Sequence, residues 1–557
     1  MFIWSFDPAN HSSDKLTRMS QHHNSKILRL PLLRRAFCNL ARHKVLAVVT
    51  VGLVTLGIRA ALIPLVGIPE PAFHDEFSYL LAADTFAHGR LANPTHPMWI
   101  HFETFHVIQQ PTYSSMYAPT QGLVLAAGQL LGHPWIGQWL ITGLMCSALC
   151  WMLQGWLPPN WALYGAILAV LRIGVLRYWM NGYWSSSVVA FGGALVLGAL
   201  PRIKKHRRVT AAILMGLGLA ILANSRPYEG FILALTVAGA LLLWMAAPRR
   251  PDCKIILARV VAPLAIVLVL AAVTTGYFYY RVTTSPFRMT YQIDSIVYNP
   301  APYFLWQRPL PEPAYHHEAI RAFYEHELSQ FWEHRSLSGF LHDQVLRSAD
   351  NWSFYLGSLL TVSLIALPWT FGDRRMRFPL IASGVFLVAL AVENWSLIHY
   401  AAPATALVFL IVTQCFRHLS TWKCKGLQIG RFFVWAIPWL LLGTLVLRVT
   451  AASTQPHIER RWPQGNLQRA AIVRRFAELP GKHLILVRYG AQHDLKLEWV
   501  YNAANIDDSK IVWARDMGDK DNQELLRYFH DRQTWTLEVD DISPPKLSPY
   551  TNNESFN

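Results

Sequence analysis

The feature that most constrains this chain is a succession of apolar runs of membrane-spanning length, separated by short polar or basic segments. An α-helical span needs about 20 largely apolar residues. Eleven runs are read as spans: 44–66, 135–156, 160–176, 185–201, 209–224, 229–247, 257–280, 352–371, 377–392, 398–415 and 432–451. The apolar piece 121–131, bounded by Pro119 and Gly132, is too short to cross and is expected to lie along the outer membrane surface. The expected fold class is therefore mainly α, a polytopic transmembrane helical bundle.

Charge supports this threading. The chain is 53% hydrophobic and 15% charged, with a formal net charge of +16, against about 25% charged residues in ordinary soluble domains. Residues 455–557 are nearly balanced, so the basic excess belongs to the apolar part. There it falls into patches: Arg202–Arg208, Arg249-Arg250, Arg374–Arg377 and Arg417–Arg431. Eleven crossings starting from a basic N-terminus place all four on the cytoplasmic side, as the positive-inside rule describes. Such a distribution argues against nucleic acid as a partner.

Residues 1–43, with Lys15, Arg18, Lys26 and Arg42, read as a retained cytoplasmic tail without a cleavable leader. Residues 44–451 then form the membrane domain, with outer loops 67–134 and 282–351, and 452–557 an extracytoplasmic domain. The expected setting is the cytoplasmic (inner) membrane. Cys146 and Cys150 stand one turn apart in an apolar run without His or carboxylate neighbours, which suits packing, and no outer loop holds a cysteine.

Polar residues collect on the outer side of this threading. The densest stretch runs from Phe73 to Gln121 and holds Asp75-Glu76, five histidines (His74, His88, His96, His101, His106) and Glu103. The others are 177–184, 224–230, the long loop 282–351, and Glu393–Ser396 followed by His399-Tyr400. Ionisable groups near membrane depth are costly and commonly line a pathway or site. Five separated segments thus point to one face.

Two parts read as soluble. In the long loop, prolines from Pro300 to Pro313 favour an extended start, and 316–334 is an amphipathic helix whose apolar face includes Ile320, Phe323, Tyr324 and Phe331. It is expected to lie on the bilayer or cap a site. From 466 onward the pattern is a small α/β unit: helix 468–479, strand 483–489, strand 510–514, helix 522–530 and strand 534–539. An accessory or interaction role is expected for it.

The segment His74-Asp75-Glu76-Phe77-Ser78-Tyr79 through Gly89-Arg90, following the first span and preceding about ten others, resembles the GT-C glycosyltransferases. Among them it resembles the protein O-mannosyltransferase and lipid A aminoarabinose transferase type. The resemblance covers roughly 44–451. It implies transfer of a sugar from a polyprenyl-phosphate donor to a glycan, lipid or protein acceptor outside the membrane, with an acidic base in the first outer loop. A transporter or flippase of the same lipid, and a non-catalytic scaffold of envelope glycan assembly, are the alternatives.

Such chemistry needs a base within reach of a hydroxyl and positive charge near a departing phosphate. Asp75 is the candidate base by its match to the family's acidic position; a helix N-cap is its other reading. Glu76 is a second catalytic candidate, to position the acceptor, bind a cation or exchange roles with Asp75. For phosphate, Arg226 comes first, with Arg177, Arg281 and Arg288 as alternatives. His399 and Tyr400 are candidates for phosphate or sugar, and Gln109, Gln110 and Tyr113 for sugar hydroxyls. A divalent cation is the one cofactor suggested: His101, Glu103 and His106 carry donors suited to zinc or manganese. Nothing in their spacing brings them to one point.

Overall fold

The computed structural model describes residues 29–248, 252–454, 465–494, 496–540 and 543–550. The expected tail before residue 29 and the patch Arg249-Arg250 lie outside the described residues.

All eleven predicted spans are helical. Among the described residues, seven helices are long and apolar enough to cross a membrane: Lys44–Ala61, Pro134–Trp156, Ser186–His206, Pro227–Ala246, Cys253–Thr283, Ile398–Leu419 and Ile429–Ala451. An eighth crossing is possible for the pair Leu337–Tyr355 and Gly357–Gly372, bent by 92°. The break falls at Gly357, whose φ of 55° is a left-handed conformation that glycine adopts without a Cβ clash. The remaining three predicted spans are shorter helices, Pro159–Ala169 (11 residues), Val209–Ala223 (15) and Arg377–Ala391 (15). Leu242, Leu243, Val273 and Leu447 face outward from the bundle as large exposed apolar groups, a surface suited to lipid.

Contacts between helix ends distinguish two ends of the bundle. At one end Gln154 Nε2 donates to the Lys44 carbonyl (2.9 Å), and the helix Ser186–His206 finishes in Lys204, Lys205 and His206, where cations complement the helix dipole. At the other end lie the two long loops and the C-terminal unit. Trp135 Nε1 donates there to the Met180 carbonyl (2.8 Å), and the Asn394 amide to the Tyr303 carbonyl (2.8 Å).

The 121–131 run is the short helix Pro119–Leu130. It is built into the fold, not laid on it: Gln121, Leu125 and Ala126 are buried, and Gln121 Nε2 donates to Gln138 Oε1 and the Tyr183 carbonyl, 2.8 Å each. A buried amide satisfied by two elements holds this helix between the Asp75 segment and the helix Pro134–Trp156. The first loop also forms a small hairpin, β1 (Val107–Ile108) against β2 (Ser114–Ser115).

The C-terminal unit carries the helices Leu467–Glu478 and Asp519–Tyr528 and a four-stranded sheet, β3 (His483–Tyr489), β4 (Ile511–Arg515), β5 (Gln533–Asp540) and β6 (Ser543–Pro549), ordered β4-β3-β5-β6. The first three strands are parallel and β6 is antiparallel to β5. β6, with three prolines, carries no sequence signal of a strand and sits at an edge, where proline's missing N–H is tolerated. The unit does not stand apart. Phe77, Phe102, Val107 and Tyr113 of the first loop share one core with Leu484, Tyr501, Val512 and Phe529.

Candidate active site

The helix His74–Ala87 opens the first loop, and its first turn divides the acidic pair. The N-cap position is Phe73, and Glu76, at the third helical position, returns its carboxylate to the backbone. Glu76 Oε2 accepts from the amides of Ala72 (3.0 Å) and Phe73 (3.3 Å), and Oε1 from Tyr183 (2.9 Å). Burial raises its pKa to about 7 against the pull of these N–H groups. The capping that a sequence reader could assign to Asp75 belongs to Glu76.

Asp75 is left for other partners. His74 Nδ1 lies 2.9 Å from its Oδ2, His106 Nδ1 lies 3.5 Å from its Oδ1, and the Tyr117 hydroxyl donates to Oδ1 in a short contact. Burial works to raise the carboxyl, but the two imidazoles overcome it and hold Asp75 well below the usual carboxylate range. Burial also lowers His106, with His74 acting in the same sense and Asp75 opposing both. Because an ionised carboxylate only accepts, the Tyr117 proton points to Asp75, and His106 Nδ1–H donates to the Tyr117 oxygen at 3.0 Å. The side chains of Asp75, His106 and His74 keep 12–15% exposure, so the cluster is open to a ligand.

The hairpin builds this cluster. Pairing Val107 with Ser115 continues outward to the Met116 amide on the His106 carbonyl (3.1 Å), which sets Tyr117 beside His106. Ser78, one turn after Asp75, donates to the same carbonyl at 2.6 Å and ties the hairpin to the helix. His106 itself has φ 61°, a left-handed conformation uncommon for a non-glycine residue and often found at functional sites. The predicted amphipathic helix, observed as Glu318–Arg335, caps the group. Phe323 stands edge-on to His74 with ring centres 5.5 Å apart.

Beyond Tyr117 the wall continues to Arg226. Tyr79 stacks on Tyr117 with ring centres 4.3 Å apart, and it feels the charges of both Arg226 and Asp75. Arg226 lies 4.0 Å over the Tyr400 ring and 3.7 Å from Glu229, with its Nε buried and without a hydrogen-bond partner. His399 sits beside it, 3.4 Å from the Tyr178 hydroxyl and 4.8 Å from the Trp184 ring. A groove of about 730 Å3, lined by Phe86, Leu123, Leu217, Ile221, Leu270 and Phe278, also includes Thr120 and Asn224 in its lining. Those residues are three positions from Tyr117 and two from Arg226.

Other candidates go elsewhere. Gln110 is exposed in the hairpin turn, while Tyr113 is buried and gives its hydroxyl to the Asn502 carbonyl (3.0 Å) of the C-terminal unit. Gln109 Nε2 donates to the Phe102 carbonyl (2.7 Å), an internal loop bond. Arg177 lies over Phe354 at 5.3 Å and lines a different pocket. Arg281 meets the Tyr277 hydroxyl at 3.2 Å on an exposed surface.

The cation set His101, Glu103 and His106 is not assembled. Glu103 accepts from Tyr298 (2.9 Å) and lies 2.8 Å from His316 Nδ1, and His101 is buried near Asp521. His106 joins His74 and Asp75 instead, their ligand atoms all within 4.8 Å of one another, the one such group among the described residues. Two imidazole nitrogens and a carboxylate oxygen suit zinc or manganese. His74 Nδ1 is buried and makes no hydrogen bond of good geometry, a further mark of fit.

Two acids, Asp294 on the helix Thr290–Val297 and Glu327 on the capping helix itself, had no sequence signal. Burial raises the carboxyls of Asp294 and Glu327 to about 7 and about 8, and the nearby Asp294 adds to the rise at Glu327.

No protein-family model matches the sequence, and the search of curated proteins finds no match. Among solved structures, an oligosaccharyltransferase from Archaeoglobus fulgidus in complex with zinc and sulfate matches with TM-score 0.50 and 11% identity, over 88% of this chain and 67% of that one. ArnT from Cupriavidus metallidurans matches in its apo state (TM-score 0.49, 14% identity, 89% of this chain and 92% of that one) and bound to undecaprenyl phosphate (TM-score 0.48, 12% identity, 89% and 93%). The chain spans about two thirds of the oligosaccharyltransferase's length. At such identities the likeness is one of fold: this chain is a multi-pass membrane protein with a GT-C-like architecture.

Proposed function

We propose that this protein is a glycosyltransferase that moves a sugar from a polyprenyl-phosphate donor to an acceptor hydroxyl, with Asp75 as the base. The observation that carries the reading is the arrangement of Asp75. It is an ionised carboxylate, oriented by Tyr117, His106 and His74, with Arg226, whose buried Nε has no partner, at the far side of Tyr79, and an apolar groove whose lining includes Thr120 and Asn224.

In this reading the isoprenoid chain lies in the groove and the phosphate reaches Arg226, whose free Nε and fork suit phosphate oxygens. Asp75 takes the acceptor's proton as the acceptor oxygen bonds to the anomeric carbon. The bond from that carbon to the phosphate oxygen breaks, and its electron pair leaves with the phosphate beside Arg226. Tyr117 and His106 fix the Asp75 oxygens, and Glu76 holds the helix start that aims them. His399 and Tyr400 flank the guanidinium and set its direction.

His74, Asp75 and His106 would hold a divalent cation. Bound there, the ion would supply positive charge near the reacting phosphate. A carboxylate has two oxygens, so one can serve a cation while the other receives a proton. Net basic charge at the opposite end of the bundle supports a site on the outer face of the cytoplasmic membrane, with the C-terminal unit also outside.

The test is sugar release from radiolabelled polyprenyl-phosphate sugars in proteoliposomes. The native protein should transfer or slowly hydrolyse the sugar, and Asp75→Asn should do neither. Movement of intact lipid-linked sugar between leaflets by both proteins, with no cleavage, would refute the enzyme reading in favour of transport.

A further inference from the structure

A second cationic site lies apart from Asp75. The structure sends Arg226 to the Tyr79–Tyr117 wall and Arg177 to a pocket of about 390 Å3 between residues 171–177, 352–359 and 441–448. Arg172 and Arg448 line the same pocket, so three guanidinium groups from two separate parts of the chain converge on it. None of the described residues lining it is acidic.

Local structure shapes the pocket for these groups. Arg172 sits in the wide turn Val170–Gly174, which interrupts the regular helix after Ala169, an irregularity frequent at functional sites. It donates to the Ser353 carbonyl in a short contact, and its Nε is buried without a hydrogen-bond partner. Gly357, at the bend of the helix pair, passes so close that a Cβ there would lie 2.5 Å from an Arg172 nitrogen. Glycine adopts the positive φ without strain and leaves room for the guanidinium. Arg177 Nη2 reaches the same Ser353 carbonyl at 3.4 Å, and Thr444 adds a hydroxyl one turn before Arg448.

We propose that this pocket binds a phosphate group at the membrane boundary. Arginine forks grip phosphate oxygens bidentately, and a partly desolvated guanidinium is more readily accommodated than an ammonium. The rest of the lining is apolar, with Leu171, Leu359, Leu441 and Leu445, and Trp352 is 45% exposed at the rim. Arg448 lies three residues before the end of the last apolar span. A phosphodiester with acyl chains would place its charge on the arginines and its chains along these leucines, and a free phosphate ion would use the same forks. Nothing in this assignment depends on sugar transfer. Tyr178 and Phe354, 5.7 Å apart, stand between Arg177 and His399.

The test uses the full chain in detergent. Thermal unfolding and native mass spectrometry are followed with phosphatidylglycerol, phosphatidylcholine or inorganic phosphate. Phosphatidylglycerol should raise the melting temperature and remain bound, phosphatidylcholine should do neither, and Arg448→Gln and Arg172→Gln should each weaken the effect about tenfold. Arg448→Lys, which keeps the charge and preserves folding if Gln does not, should weaken it by a smaller factor. An arginine-dependent response to phosphatidylglycerol alone identifies a lipid head group, and one to inorganic phosphate as well identifies a general phosphate site. If the folded variants respond to both probes as the native protein does, or if phosphatidylcholine acts equally, the assignment fails.

Discussion

Two groups of acids meet at the helix Glu318–Arg335, which itself carries Glu327, and their carboxyls shift in opposite directions. Asp75 has two imidazoles and a phenol against it and is held ionised, while burial pushes Asp294 and Glu327 up to about 7 and about 8, Asp294 adding to the rise at Glu327. Burial raises all three; the partners decide the outcome. Glu327 receives a single amide, from Asn299 at 3.0 Å, and Asp294 Oδ1 has no hydrogen-bond partner. The difference teaches that an acid's place at this helix says little about its chemistry until its neighbours are known.

The comparison breaks most readily at Asp75. Asp75→Asn keeps shape and removes the charge, so transfer should fall by about 10³-fold while the melting temperature stays near that of the native protein. Retained transfer would mean that the base lies elsewhere. Next in size is the cation. Chelation, or His106→Ala, is expected to lower transfer by about 10²-fold, with zinc or manganese restoring the chelated native protein and not the variant. Full activity after exhaustive chelation would leave the imidazoles as orienting groups alone.

Tyr117→Phe removes the hydroxyl between His106 and Asp75 and should reduce kcat about tenfold with little change in KM. An equal rise in KM would instead make Tyr117 a binding group. The smallest effect concerns the protonated pair. A carboxyl raised from 4.5 to about 8 holds a proton in the folded chain that the unfolded chain releases. Its contribution is complete below about 4.5 and is lost as pH rises through about 8. The native melting temperature should decline across that window, by a few degrees, and Glu327→Gln should flatten the decline. An unchanged slope would remove Glu327 from the comparison.

The membrane helices were legible because their signal is local and repeated: each long apolar run became a helix. Asp75 stood out as a candidate by its place after the first span. Its partners did not. His106 was visible as a histidine and grouped with His101 and Glu103, whose spacing is short in sequence, but a hairpin turned it toward Tyr117 and His74. Tyr117 had no mark beyond being one of many aromatics. Arg177 and Arg226 read alike as cations at helix ends, and the packing of Phe354 and Tyr400 sent them to different pockets. The C-terminal unit was legible strand by strand as far as β5, yet its sharing of a core with Phe77 and Phe102 was not.

The sequence by itself determined that this chain is a bundle of apolar helices with basic residues gathered at one end and an α/β unit after the last span. Transfer of apolar side chains and charge placement along a helix depend on residues within a few turns of each other, and such information is written in order along the chain. Tertiary structure alone decided which acid is ionised, which histidines face it and which arginines converge. Those outcomes depend on distances of 3–4 Å between residues tens to hundreds of positions apart, and at that range one partner can overcome the effect of burial.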